Sequence, residues 1–273
     1  MEYEIKPKNK LTLGLAELWQ YRELFYFFTW RDIKVKYKQT FLGFLWAIIQ
    51  PLVMTLLFTV SLGRIISSNS SMNMPYPLFA LSGLVIWNIF SSGLTNAGNS
   101  MVTNSNIIKK IYFPRLIIPI SAVLVSLFDF LMGFIVFLAM LFYYHTDISI
   151  PRFILFVPAS LLITCIATFG IGTWLAALNI KYRDFRYVIP FLIQGLLFLT
   201  PVIYPISLVS NVNFKYALAI NPMYSAIEFF RYGIIAQPLD SNLILISVFS
   251  SLVFFTVGLF YFRKTETYFA DLA

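Results

Sequence analysis

The sequence predicts an all-α polytopic membrane protein. The expected architecture is six transmembrane helices, an N-terminal amphipathic interface helix, and re-entrant helices before the last span. Three observations carry this reading. Of 273 residues, 59% are hydrophobic and only 12% are charged, about half the charge of a typical soluble domain. Six apolar stretches each approach the roughly 20 residues that a helix needs to cross a bilayer. There is no alternation of polar and apolar residues of the kind that marks a barrel strand, and a lipid-exposed segment then satisfies its backbone only as a helix.

Residues 1–40 read as a cytoplasmic N-terminus. Its part from 11 to 38 mixes Phe and Leu with charge and shows no clean polar stripe at helical spacing. Asp32 and Lys36 form a favourable i,i+4 pair. An interfacial helix touching lipid on one side and protein on the other fits that pattern. The stretch "RDIKVKYKQTFLGFLWAIIQPL" then marks a boundary, because no charge follows Lys38 until Arg64. The spans are expected at about 41–62, 77–100, 116–143, 153–178, 187–203 and 242–262, within a transmembrane domain of 41–262 and ahead of a cytoplasmic tail at 263–273. Between the last two spans, 204–240 is apolar but proline-broken. Pro201, Pro205, Pro222 and Pro238 are too many for one helix. Pieces around 216–220 and 223–236 suggest helices that dip into the outer leaflet and return. An external loop lying on the surface is the alternative.

The charge distribution orients the chain. Sixteen of the 20 Lys and Arg residues fall in the N-terminus, the 101–115 loop, the 179–187 loop and the C-terminus. Basic residues favour the cytoplasmic side, so both termini are expected in the cytoplasm of a bacterial inner membrane. The same apolar composition leaves no solvated basic face for nucleic acid. One cysteine and one histidine exclude an internal disulfide and a Cys/His metal cluster. No signal peptide is expected from the mixed-charge N-terminus. No G-x-x-x-x-G-K-[ST] motif occurs, so ATP-driven work would need another chain.

Three features could carry chemistry. Asn88, Ser91, Ser92, Thr95, Asn96 and Asn99 form a stripe on the second span at about 100° per residue. The stripe either packs helices together, beside the small pair Gly93 and Ala97, or walls a hydrated passage suited to an uncharged polyhydroxyl solute. Asp129 is alone in the third span. A carboxylate there costs about 2.5–3.5 kcal/mol on insertion scales and should turn away from lipid. Ala122, Ser126 and Gly133 share its face, and structural pairing outweighs a proton relay. Finally, Trp46, Trp87, Trp174 and Tyr204 are candidates for packing against sugar rings, with an interfacial belt or core as the plainer reading.

The motifs resemble a family. "RDIKVKYKQTFLGFLWAIIQPL" is similar to the entrance of the first span in type-2 ABC exporter permeases, in the polysaccharide branch with Wzm-like O-antigen and teichoic acid exporters. "NIIKKIYFPR" (106–115), "KYRDFRYVIP" (181–190), "TPVIYP" (200–205) and "NPMYSAIEFFR" (221–231) follow in order. The resemblance implies a homodimeric permease subunit, not an enzyme, above two nucleotide-binding subunits that hold the ATP and magnesium. It implies cargo on an undecaprenyl-pyrophosphate carrier, and no metal in this chain. Asn106, Lys109, Lys110 and Arg115 would couple to the ATPase subunit. Pro201, Pro205, Asn221, Pro222, Glu228 and Arg231 would form an outer gate. Arg31, Lys34, Lys36 and Lys38 sit at the cytoplasmic membrane surface, as lipid anchors or as contacts for the carrier's pyrophosphate. Asn88, Ser92, Thr95, Asn96, Asn99, Trp46, Trp87 and Tyr204 would line the pore.

Rival classes fit less well. A proton-driven transporter needs an intramembrane ionisable network, and only Asp129 lies within a span. A membrane glycosyltransferase needs interfacial carboxylates, and only Asp32 and Asp184 are so placed, both beside basic residues. An exporter of teichoic acid, lipid or drug with the same fold would differ in cargo alone.

Overall fold

The computed structural model describes residues 15–38, 43–69, 74–266 and 269. The expected segment 1–14, the junction residues 39–42 and most of the tail lie outside the described residues. Among those described there is no strand. Two N-terminal helices, α1 (Leu15–Gln20) and α2 (Arg22–Lys38), precede five long ones. These are α3 (Leu45–Asn69), α4 (Tyr76–Thr103), α6 (Ile117–Tyr143), α7 (Ile150–Lys181) and α11 (Ser241–Thr265). Each of the five is long and apolar enough to cross a membrane. The shorter elements are α5 (Ser105–Lys110), α8 (Phe185–Leu199), α9 (Val212–Ala219) and α10 (Met223–Ile234), with a 3-10 turn at Ile206–Leu208.

Two elements differ from the sequence expectation. The N-terminal helix is divided at Tyr21, where the backbone tightens so that the Leu24 N–H donates to the Tyr21 carbonyl at 2.9 Å. The expected fifth span, 187–203, is instead the 15-residue α8, about 22 Å long at 1.5 Å per residue and short of the ~30 Å hydrocarbon core. Proline explains the early stop. Pro201 cannot donate to the helix ladder, and it pushes Thr200 into the extended region at φ −105°, ψ 139°. Just ahead of α3, Gly43 turns the chain with φ +51°, a conformation that glycine adopts without steric cost.

α4 is the centre of the bundle and packs against α3, α6, α7, α8 and α10. It is the least hydropathic of the five long helices and the most buried, 78% of its apolar window against 17% for α3. That ordering is what a lipid solvent selects. Apolar helices can face the tails, whereas the helix with polar groups needs protein or water around it. α3 leaves Leu52, Leu56 and Val60 exposed along one face.

α7 and α11 cross at their backbones. A Cβ on Gly258 would lie 1.9 Å from the Gly170 carbonyl oxygen, and one on Gly170 would lie 2.4 Å from the Phe255 Cα. Small residues at a helix crossing permit this approach and the dispersion contacts it brings. Gly195 on α8 has nothing within 4 Å of its would-be Cβ. Gly258→Leu is therefore expected to cost about 1–3 kcal/mol through overpacking, and Gly195→Ala to leave stability unchanged or raised. Thermal unfolding of the detergent-solubilised variants tests both, and an unaltered Gly258→Leu melting point would contradict the crossing.

Candidate functional site

From Leu78 to Met101, every residue of α4 is buried except Asn88, Ser91, Ser92, Thr95, Asn96 and Asn99. The polar stripe is thus the one accessible face of the central helix over that length. The small face does the packing. A Cβ on Gly93 would lie 2.6 Å from Thr168 of α7 and 2.9 Å from Ser126 of α6, and Ala97 sits 2.8 Å from a would-be Cβ on Gly172.

The stripe opens onto a cavity of about 540 Å³. Trp46, Gln50 and Pro51 of α3 form a second wall, and Pro190, Ile193 and Gln194 of α8 a third. Lys36 and Tyr37 of α2 and Asp129 of α6 also line it. The hydroxyl of Thr95 donates back to the Ser91 carbonyl at 2.8 Å. The amides of Gln50, Asn88, Asn96 and Gln194 make no side-chain hydrogen bond to a described residue. Four uncharged amides beside the exposed ring of Trp46 offer donors, acceptors and an apolar face together. A polyhydroxylated surface matches that combination. Trp87 joins Trp46 in the lining. Asn99 does not. It donates to the Thr95 carbonyl at 2.9 Å and accepts from Asn179 Nδ2 of α7 at 3.0 Å. Tyr204 and Trp174 also stand outside the lining, with the Tyr204 hydroxyl donating to the Phe198 carbonyl at 3.1 Å.

Asp129 is paired. Lys36 Nζ lies 2.5 Å from its Oδ2, and the Tyr37 hydroxyl donates to its Oδ1. The carboxylate is 3% exposed, so both acceptor oxygens are satisfied where an unpaired charge would be costly. Burial, then the hydrogen bond to Asp129, pushes the Tyr37 phenol above its ordinary range, so it stays a donor. The end of α2 is thereby clipped to α6 at the cavity edge. This pairing escaped sequence reasoning because the partners come from an interface helix outside every span.

The four boundary cations are not equivalent. Arg31 donates to Asn104 Oδ1 and to Asp32 Oδ1, each at 2.8 Å, and lies 4.9 Å from the Phe28 ring centre. Lys36 holds Asp129. Lys34 and Lys38 are exposed, and neither forms an ion pair with a described residue. Lys34 lies 5.2 Å from the Trp30 ring.

Beyond Asn104, α5 projects Asn106, Lys109 and Lys110 outward, followed by exposed Ile111 and Tyr112. Ile108 and Phe113 are buried and root the segment. Phe113 packs on Phe28 of α2 at 5.8 Å. Arg115 turns inward. Its guanidinium donates to the Glu266 carbonyl and its backbone N–H to Glu266 Oε1 at 3.2 Å. Glu266 also pairs with Arg263 at 2.7 Å.

At the far end of α4, fully buried Arg231 of α10 gathers the chain. It donates to the carbonyls of Pro201 at 2.8 Å, Val202 at 2.6 Å and Phe79 at 3.4 Å, and its Nη1 lies 3.4 Å from Glu228 Oε1. Its guanidinium stands 3.6 Å from the Phe79 ring centre. Gly83 makes room, since a Cβ there would lie 2.4 Å from the Val202 oxygen. Asn221 Nδ2 donates to Thr200 Oγ1 at 2.6 Å, while its Oδ1 accepts from the Met223 N–H at 3.0 Å. Pro222 starts α10, and Pro205 starts the 3-10 turn. The carbonyls after the α8 break are thus answered by Arg231, for Pro201 and Val202, and by the Tyr76 hydroxyl, which donates to Ile203 at 3.0 Å.

A helical bundle with a polar central helix, an amide-walled cavity and an interface helix at its edge defines a polytopic transport subunit. The chain belongs to the ABC-2 type transporter family, whose match covers residues 23–235. It is 29% identical to an O-antigen export system permease protein RfbA of Klebsiella pneumoniae, over 89% of this chain and 92% of the relative. A protein of the same name from Myxococcus xanthus is 31% identical over 77% of this chain and 80% of the relative. The polysialic acid transport protein KpsM of Escherichia coli is 26% identical over 86% and 91%. Family membership makes the chain a transport subunit rather than an enzyme, with ATP hydrolysis on a separate subunit.

Two variants test this geometry. Lys36→Met leaves a buried carboxylate with one donor and is expected to cost about 1–3 kcal/mol, less than a fully buried pair because the lysine is part-exposed. Lys36→Met with Asp129→Asn is expected to recover most of that loss. Additive costs in melting experiments would mean that the two groups are uncoupled. Arg231→Met strands Glu228 and the Pro201 and Val202 carbonyls, and is expected to cost about 3–5 kcal/mol, read as loss of monodisperse protein. Glu228→Gln is expected to be milder, because the carbonyl bonds survive.

Proposed function

We propose that two copies of this chain form the export path for a polysaccharide carried on undecaprenyl pyrophosphate across a bacterial cytoplasmic membrane. Two copies of an ATPase subunit, holding ATP and magnesium, drive it from the cytoplasm, where both termini lie. The observation that carries this reading is the amide-walled cavity between α3, α4 and α8. Uncharged donors and acceptors beside tryptophan suit a glycan, and the named activities of the relatives, O-antigen export and polysialic acid transport, support that cargo.

The mechanism follows the placement of the residues. Lys36 at the end of α2 borders the cavity, while exposed Lys34 and Lys38 line a separate surface recess with Arg31 and are available to a pyrophosphate as it leaves the inner leaflet. The projecting segment with Asn106, Lys109 and Lys110 meets the ATPase subunit. Its motion passes into α4 and α6, which it joins, while Arg115 ties its base to the end of α11. α3 and α8 flank the cavity with largely exposed outer faces, and the passage opens between these helices of the two copies. The α8–α10 segment closes the outer mouth. Its helices α9 and α10 are the re-entrant pair, and α8 together with the extended residues that follow it makes the sixth crossing. Nucleotide shifts the pore only through contacts whose strength differs between the two states.

Asn88→Leu with Asn96→Leu is expected to lower export at least about tenfold, the loss of one to two hydrogen bonds to cargo, while assembly with the ATPase subunit and basal ATP hydrolysis persist. Surface glycan measured in cells, alongside co-purification of the ATPase subunit, separates the outcomes. Full export by this variant would remove the cavity from the path. Charge reversal at Lys109 and Lys110 is expected to do the opposite, weakening assembly and leaving the cavity intact.

A further inference from the structure

A second cavity, of about 340 Å³, opens where α4 meets α5 and α7 meets α8. Ser105, Asn179, Arg183, Arg186 and Tyr187 line it. Arg183 and Arg186 are exposed, and neither guanidinium has a hydrogen bond, ion pair or ring contact with a described residue. Among the described residues, no acid lines this cavity. Asn179 is 1% exposed. Its Nδ2 donates to the Gly98 carbonyl at 2.9 Å and to Asn99 Oδ1 at 3.0 Å. Those two acceptors fix which atom of the amide is the oxygen. That oxygen is buried and has no partner among the described residues. A buried orphan acceptor is costly, and it calls for a donor that the described residues do not supply.

We propose that this cavity binds a phosphorylated headgroup that also carries a free hydroxyl, such as the phosphoglycerol group of an anionic phospholipid. Both guanidinium groups take the phosphate, as paired donors do in charge-assisted hydrogen bonds. A headgroup hydroxyl donates to Asn179 Oδ1. Tyr187, 79% exposed, stands beside the arginines as tyrosine does at a water–lipid boundary. The bound group bridges the base of α5, the end of α7 and the start of α8. It joins the segment that projects Lys109 and Lys110 to a helix that walls the larger cavity. None of these contacts depends on which cargo the larger cavity takes.

Native mass spectrometry of the purified full-length protein tests the site, after release from bilayers of phosphatidylglycerol or of phosphatidylmethanol. The two lipids carry the same charge, and only the first has headgroup hydroxyls. Phosphatidylglycerol is expected to be retained about fivefold or more better. Arg183→Ala with Arg186→Ala is expected to reduce that retention about tenfold or more at an unchanged melting temperature, since both side chains are exposed. Retention of the lipid assigns a membrane source, whereas saturable binding of soluble glycerol 1-phosphate without lipid retention assigns a cytosolic one, and both support the site. Equal retention of the two lipids without binding of glycerol 1-phosphate overturns it. So does undiminished retention by the double variant. Loss of ATPase-subunit co-purification in that variant, with lipid retention unchanged, identifies a protein interface and also overturns it.

Discussion

Lipid supplies no hydrogen bonds, so every polar group carried into the membrane has to be answered by the protein or by a hydrated cavity. The rest of this structure depends on that constraint. It places α4, the most polar of the long helices, at the centre, and leaves the more apolar α3 at the edge. It gives Asp129 two donors from α2. It makes Arg231 serve the carbonyls that Pro201 and its neighbours leave without a helical partner. Where no described residue supplies a partner, as along Asn88 and Asn96, the side chains face open volume.

α2 connects the base of α5 with the edge of the cavity. Its Arg31 holds Asn104, the residue between α4 and α5, and its Lys36 holds Asp129 at the cavity. These contacts are five residues apart on one helix. A displacement of α5 therefore reaches the cavity by two routes, directly through α4 and through the α2 clip. The proline-broken segment after α8 is held just as firmly by Arg231 and Gly83 against the other end of α4. The central helix is gripped at both ends, and its polar middle is the part left accessible.

Much of this was legible in the sequence. Helix class, the positions of the long helices and the polar stripe follow from composition and a 100° period, which are local properties. The side of α4 that packs was legible too, as Gly93 and Ala97. The partners were not. Asp129 could be read as a carboxylate in need of a donor, yet Lys36 lies 93 residues away on a helix whose mixed polarity gave no facing direction. Arg231 read as a gate residue, but its carbonyl acceptors at Pro201 and Val202 follow from where Pro201 ends α8. The length of α8 was overestimated because hydropathy continues past Leu199, whereas the backbone does not.

The sequence by itself determined that this is a helical membrane protein with a polar central face, a charged boundary before its first long helix and a broken segment before its last. Those are consequences of solvent and of backbone stereochemistry, which act residue by residue. Only the tertiary structure decided that the polar face opens on a cavity rather than on a neighbouring helix, and that two of four boundary cations are engaged within the protein while two remain exposed. Among the described residues it also left Asn179 Oδ1 without a donor, beside two arginines that have no side-chain partner. Such outcomes depend on which groups meet across long separations, and pairing in lipid is settled by the whole set of donors and acceptors together.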